Sequence, residues 1–265
     1  MREFISSRFK HMNRLYHYTS YKAACEIIKS KQLRFSKRYG LNDLIEGHKI
    51  TTRRAFFGDM GFDMSKEYIP ELEMMRYQQI SFSQDIIDGD MLYEGFNLHS
   101  MWGLYAEKGD GVCLVFDKDK LKLGAKDYAT YVRYKDWVMP DYHFQNTTKA
   151  GVKEDVWQRK DELFFCKRKE WEREQEYRII RRANNPTDDE YLDVSDALSF
   201  VILCKDDTSE YENSIWSGKR YPHLRYISNR KLHVFWYKPT MDGYALYHDY
   251  DDPVWTEEGG FESWD

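Results

Sequence analysis

No stretch of this chain approaches the roughly 20 consecutive apolar residues that cross a bilayer. The opening Met1-Arg2-Glu3-Phe4 has no apolar core behind its charge, so it does not read as a signal peptide. The expectation is a cytoplasmic protein without membrane contact. Cysteine is scarce. The four present, Cys25, Cys113, Cys166 and Cys204, lie outside metal-ligand spacing of one another, and three sit in or beside apolar segments. They are expected to be buried, reduced thiols, and without a Cys/His cluster no metal is expected. An excess of positive charge is also missing. A net charge of -5 argues against a surface covered in phosphate-binding residues. It leaves room for one local basic patch, Lys29, Lys31, Arg34, Lys37 and Arg38, followed by Arg53 and Arg54. Repeats, low-complexity tracts and a convincing linker are lacking, so residues 1–265 are expected to form a single domain. The acidic, aromatic end from Asp249 to Asp265 reads either as a loose tail or as a segment packed across that domain.

What the chain has in quantity is aromatic side chains. They make up 17% of its residues, with 21 Tyr and 8 Trp, within a hydrophobic share of 42%. A sizeable core is available, and many rings must be half-buried with a polar tip toward water or a ligand. Charged residues at 32% supply the polar surface.

Patterning places the elements. Residues 15–19 are short, aromatic and β-prone, and Thr19 or Ser20 can cap a helix over 21–31 with Ala24, Ile27 and Ile28 on one face. Residues 33–36 read as extended. Residues 43–57 and 65–78 read as helical, with Asn42-Asp43 as a turn or helix start. Strands are expected at 79–83, 111–117, 128–134, 177–180, 199–204 and 232–237. Helices are expected at 97–107 and from a Thr147 or Thr148 cap to about 167, with Val152, Val156 and Leu163 inward. Strict βαβ alternation is missing. The order favours an α+β fold with mixed, mainly antiparallel sheets and flanking helices.

The most informative string is Trp171-Glu172-Arg173-Glu174-Gln175-Glu176-Tyr177-Arg178. In an extended chain Glu174, Glu176 and Arg178 share one side, with the two carboxylates about 7 Å apart. Such a pair divides roles when its environments differ, one steadying a developing cation and the other taking a proton. The plain alternative is a charged solvent face. His17, in Tyr16-His17-Tyr18-Thr19, is either a ligand for a ribose hydroxyl or phosphate or a histidine satisfied among aromatics. Ser81 and Ser83 put two hydroxyls on one strand face and Phe82 on the other, as sugar or carboxylate contacts or as ordinary alternation. Asn42 reads as a cap, sharing a helical face with Glu46. Trp102 and Tyr105 form either a core face or a stacking platform.

Taken together, these segments resemble a widespread, mostly bacterial domain family of unknown function. The matching pieces are LYHYTS at 15–20, IIKSKQLRFS at 27–36, LNDLIE at 41–46, ISFS at 80–83, MWGLYAEKGDGVCLVFD at 101–117 and CKRKEWEREQEYRII at 166–180. The last piece follows the family pattern of a Lys, a Trp and then Glu-x-Glu-x-Arg. The resemblance covers about residues 15–205, leaving 206–265 as an extension expected to pack on the domain. Two departures stand out: the family's Asn-Asp-Pro-Phe is Asn42-Asp43-Leu44-Ile45 here, and nothing past 205 carries its signature.

A narrower resemblance is to ADP-ribosyltransferases, through an early His, a middle Ser-x-Ser and a late Glu-x-Glu. It implies a cleft between two small sheets, as in that family's split sheet, with NAD as substrate and no metal. By that resemblance Glu176 would balance an oxocarbenium-like ribose, and Glu174 would orient or deprotonate the acceptor. His17, with Tyr18 and Thr19 in the same string, would hold a ribose hydroxyl. Ser81 and Ser83 would order Glu176 and the ribose, and Arg34 or Arg38 would face the pyrophosphate. Arg178 and Asn42 complete the expected binding set, and Trp102 or Tyr105 would stack on nicotinamide. The acceptor would be a protein, a nucleic acid or water, the last matching an effector that depletes NAD in a bacterial defence or toxin system. The alternative is a non-catalytic nucleotide- or nucleic-acid-binding module that uses the basic patch and the aromatics. Oligomeric state stays open.

Overall fold

The computed structural model describes residues 13–38, 69–89, 91–136, 148–204, 232–240 and 243–248. In chain order the elements are β1 (Arg14–Thr19), α1 (Tyr21–Ser30), β2 (Gln32–Arg34), α2 (Ile69–Met75), β3 (Tyr77–Gln84), β4 (Ile86–Asp88), β5 (Met91–Tyr93) and α3 (His99–Tyr105). There follow β6 (Val112–Asp117), β7 (Asp127–Tyr131), β8 (Arg133–Lys135), α4 (Lys149–Gln158), α5 (Lys160–Phe164), β9 (Cys166–Arg168), β10 (Glu176–Arg182), β11 (Tyr191–Asp193), β12 (Leu198–Cys204), β13 (His233–Thr240) and β14 (Gly243–His248). This is an α+β fold, and its pairings are mostly antiparallel, with β12–β13 and β8–β9 parallel. The expected helices at 43–57, the Asn42 turn and the Asp249–Asp265 end lie outside the described residues.

The chain divides into two compact units, one of residues 1–32, 82–122 and 193–265, the other of 33–81 and 123–192. The first carries strands in the order β14-β13-β12-β6-β1, with the end of β3 beside β1. Its central strand β6 is buried along all six residues, which explains why Val112 to Phe116 reads as a continuous apolar run rather than an alternating one. Tyr16, Tyr18, Trp102, Cys113, Val115, Phe200, Ile202, Phe235 and Tyr237 close one core against α3. Helix α1 begins where Ser20 accepts from the Ala23 N–H at 3.1 Å, and it buries Tyr21, Ala24, Cys25, Ile27 and Ile28. Lys31, in left-handed geometry at φ 58°, ends it.

The second unit carries β10 between the start of β3 and β7, with β7 antiparallel to β10. Helices α4 and α5 cover it with Val152, Val156, Leu163 and Phe164 against Tyr77, Val132 and Ile180. Thr148 caps α4 by accepting from the Gly151 N–H at 3.2 Å.

Three expected elements differ. The helix expected to run to 167 stops at Gln158 and resumes over Lys160–Phe164, and Cys166 then opens β9. The strand expected over 128–134 breaks at Val132, because β7 pairs with β10 while β8 pairs with β9. The helix expected over 65–78 is described from Ile69 and ends at Met75, since Tyr77 already belongs to β3.

One glycine closes the turn after α3. The N–H groups of Gly109 and Gly111 both donate to the Ala106 carbonyl at 2.8 Å. A Cβ on Gly111 would sit 2.4 Å from the Thr19 carbonyl oxygen and 2.7 Å from Ala106 backbone atoms. Gly111→Ala is therefore expected to cost about 1–3 kcal/mol, an overpacking penalty that neighbouring backbone cannot relieve. Gly103, inside α3, has open space at its Cβ, so Gly103→Ala is expected to hold or raise stability by up to about 1 kcal/mol. Thermal midpoints of the two variants check both signs.

Candidate functional site

The turn before β10 builds the site. Residues Lys169–Glu174 form a 3-10 turn, and Gln175 closes it in left-handed geometry at φ 50°. The extended reading of Glu174 is thereby corrected. Only Glu176 begins the strand, and Glu174 sits on the turn before it. A positive φ between the two glutamates removes strand alternation as the reason for their closeness. The turn instead folds Glu174 back, so that both carboxylates reach one ammonium. Lys167 Nζ lies 2.6 Å from Glu174 Oε2 and 2.9 Å from Glu176 Oε2.

Arg178 completes the arrangement. Its Nε and Nη2 donate to the two oxygens of Glu176 at 2.7 and 2.9 Å, a bidentate fork, and its Nη1 donates to the Phe164 carbonyl. Ser81 adds a hydrogen bond to Glu176. The Glu176 N–H donates to the Tyr134 hydroxyl at 2.9 Å. Lys167 also lies over the Trp171 ring, 5.3 Å from its centroid.

All four charges are buried. The Arg178 side chain is 0% exposed, Glu176 3%, Lys167 6% and Glu174 8%, so the solvent-face reading of this string is excluded. Two cations and two anions cancel within the group. Burial alone would push the Glu176 carboxyl up, yet Arg178 and Lys167, with hydrogen bonds from Arg178 and Ser81, hold it well below the usual carboxylate range. Burial, with the charge of Glu176 adding to it, pushes the Tyr134 phenol up, so it stays protonated.

The remaining candidates distribute as follows. Tyr18 is buried, donates its hydroxyl to the Gly95 carbonyl at 2.8 Å and meets Trp102 edge-on. Trp102 stacks on Tyr237 at 5.4 Å and 4° and donates Nε1 to the Phe96 carbonyl, and Tyr105 packs on the same cluster. Trp102 and Tyr105 thus belong to the core face. Thr19 ends β1 opposite Val112. His17 sets its ring edge-on against Phe82, 5.8 Å away. Tyr16 pairs with Ser83 across β1 and β3, so His17 and Ser83 lie on opposite faces of that pair. Ser83 Oγ is buried without a hydrogen-bond partner among the described residues. Ser81 lies on the same side of β3 as Ser83 by alternation. Arg34 is exposed, whereas Arg38 is buried, its guanidinium 5.0 Å over Phe164. Lys37 is taken up by Asp189 at 2.8 Å. Of the expected set, the structure brings Ser81, Glu174, Glu176 and Arg178 together.

Lys167 is the member that sequence reading passed over. It stands four residues before Trp171 in the 166–180 piece, and Lys167, Trp171, Glu174, Glu176 and Arg178 of that piece all enter this one cluster. Among the described residues no group of three or more His, Cys, Asp or Glu is arranged to hold a metal ion. No described helix is long and apolar enough to cross a membrane.

The model of a family described as a protein of unknown function, DUF2971, matches residues 101–179, a span that holds most of α3, all of β6 and the four charged residues Lys167, Glu174, Glu176 and Arg178. The match is consistent with the uncharacterised domain family expected from the motifs, and it covers the pieces at 101–117 and 166–179 of the expected span 15–205. Comparison with curated proteins and with solved structures returned no significant match.

Lys167→Met leaves two buried carboxylates with only Arg178 between them. It is expected to cost about 3–5 kcal/mol in denaturant unfolding, with part of the loss recovered by adding Glu174→Gln, which removes one uncompensated charge. Unchanged stability in Lys167→Met would show that the ammonium does not hold the turn to the strand.

The pH dependence has a defined sign. Because the Glu176 carboxyl is held down in the folded chain, its stabilisation is complete above the unfolded value of about 4.3 and is lost as pH falls from there toward the depressed folded value. Unfolding midpoints measured from pH 7 downward are expected to decline below about pH 4, and Glu176→Gln is expected to flatten that decline.

Proposed function

We propose that this chain is an NAD-using enzyme of the ADP-ribosyltransferase type, or an NAD glycohydrolase, with Glu176 as the working carboxylate. The observation that carries this reading is a buried carboxylate kept ionised at the first residue of a strand, with Ser81 bound to it. Cleavage of the ribose–nicotinamide bond builds positive charge on the ribose ring, and a carboxylate that stays ionised out of bulk water stabilises that charge most effectively. In this reading the substrate ribose takes a place on Glu176 that Lys167 now shares. Glu174, which keeps its pairing with Lys167, orients the acceptor, and Arg178 keeps the Glu176 carboxylate aimed. Arg34, exposed on β2, is the remaining candidate for the pyrophosphate, since Arg38 is spent on Phe164 and the Leu163 carbonyl.

A second reading is favoured by a different observation. Both oxygens of Glu176 already hold cations, and the four charges cancel. A self-neutralised buried cluster suits a non-catalytic nucleotide- or nucleic-acid-binding module in which the motif serves the fold. Recognition would then fall to exposed cations such as Lys31 and Arg34.

Incubation with NAD separates the two. The enzyme reading expects nicotinamide release, with water or with an added protein or nucleic-acid acceptor. Glu176→Gln is expected to slow it by about 10²–10³-fold, measured at a temperature where circular dichroism shows the variant folded. Inert wild-type protein across that panel removes the enzyme reading. Salt-dependent nucleic-acid or nucleotide binding that is lost in Lys31→Ala/Arg34→Ala and kept in Glu176→Gln then establishes the second.

A further inference from the structure

Strands β8 and β9 form a two-stranded parallel ribbon in the second unit, with Arg133 opposite Cys166, Tyr134 opposite Lys167 and Lys135 opposite Arg168. Paired residues of such a ladder share a face, and successive residues alternate between faces. One face holds Tyr134 and Lys167, which belong to the Glu176 cluster. The other holds Arg133, Lys135 and Arg168 and no acid. Arg133 and Lys135 are exposed, and Arg168 is half-buried. Lys135 and Arg168 are direct neighbours about 5 Å apart across the strands, and like charges so placed repel. Among the described residues no carboxylate forms an ion pair with Arg133, Lys135 or Arg168. Elsewhere in this unit arginines are matched, Arg181 by Asp127 and Arg182 by Glu73.

The row of cations continues past Arg133. Burial and a hydrogen bond to Asp161 push the Tyr128 phenol up, and the nearby Arg133 charge acts on it in the opposite sense. Lys160 Nζ lies 4.7 Å from the centroid of the same ring. Arg133 and Lys160 thus flank one half-buried aromatic, and Asp161, the acid at that end, is engaged by the Tyr128 hydroxyl. An ammonium beside a guanidinium suits a phosphate, whose tetrahedral oxygens accept from both at once, whereas a planar carboxylate is served by one arginine fork. Arg133 stands one strand period, about 7 Å, from Lys135 on the same face, so the face offers charge at intervals along a line. A repeating anion on a flexible chain fits that line better than a single ion does. We propose that this face of the β8–β9 ribbon binds the phosphate backbone of a single-stranded nucleic acid, with Lys135 and Arg168 on one phosphate and Arg133 on the next. The assignment does not depend on whether Glu176 acts on NAD.

The test is fluorescence anisotropy of the full chain with labelled single-stranded DNA and RNA of about twelve mixed nucleotides. Wild-type protein is expected to bind with an affinity that falls as salt rises. Lys135→Glu is expected to weaken binding about tenfold or more. Its thermal midpoint is expected to hold or rise, because glutamate opposite Arg168 turns a repulsive pair into an attractive one. Arg133→Ala/Arg168→Ala is expected to lower the slope of log K against log salt by about two. Wild-type protein that binds neither strand overturns the proposal. So does affinity that stays unchanged in both variants, or that is lost only in Lys31→Ala/Arg34→Ala. Binding of polyglutamate or of phosphatidylserine vesicles without binding of either strand also overturns it, because the partner is then of another class. If Lys135→Glu lowers the thermal midpoint, Lys135→Gln decides, with weaker binding at an unchanged midpoint in support and unchanged binding against.

Discussion

One ammonium shared by two buried carboxylates organises the second unit. Lys167 comes from β9, Glu174 from the 3-10 turn and Glu176 from β10, so the contact ties together three consecutive pieces of backbone that no regular ladder joins. Taking such charges out of water is expensive, and the arrangement holds because each is met by an opposite charge at hydrogen-bond distance. Arg178 also donates from Nη1 to the Phe164 carbonyl, which anchors the C-terminus of α5 to the same group. Removing any one partner leaves a buried charge without its counterpart, which makes the group all-or-none in character.

The geometry also narrows what the motif can do. A carboxylate pair spaced along a strand suggests a division of labour between acid and base. A pair folded onto one lysine behaves as a single unit whose charge is already compensated. Chemistry at Glu176 therefore requires that a substrate compete with Lys167 for the Oε2 position, and binding without chemistry requires nothing of the kind. In the first unit, the aromatic abundance serves packing. The Trp102 and Tyr237 rings stack within a core, and Tyr18 and Trp102 both place their polar tips on backbone carbonyls.

Much of the local structure was legible. Ser20 as a cap, the face of Ala24, Ile27 and Ile28, the buried run of β6 and the inward Val152, Val156 and Leu163 all follow from periodicity and capping chemistry. The common side for Ser81 and Ser83 follows from alternation. Gln175 was not legible, because a non-glycine residue at positive φ carries no mark in composition, and it closes the 3-10 turn that keeps Glu174 out of the strand. Lys167 lies in the 166–180 piece that carries the motif, yet a lysine between Cys166 and Arg168 on a three-residue strand reads as surface until its partners are placed. Arg38 and Lys37 read as a basic patch for the same reason, and tertiary contacts with Phe164 and Asp189 absorb them.

Residue order by itself determined the α+β class, most strand and helix centres and the identity of the charged string before β10. These depend on short-range preferences, namely side-chain period, caps and turn residues, which act within a few positions. Tertiary structure alone decided that the string is buried, that Lys167 joins it and that His17 turns toward Phe82 on the face opposite Ser83. Those outcomes depend on which strands pair and in which register, and a shift of one residue in a ladder sends every side chain to the other face.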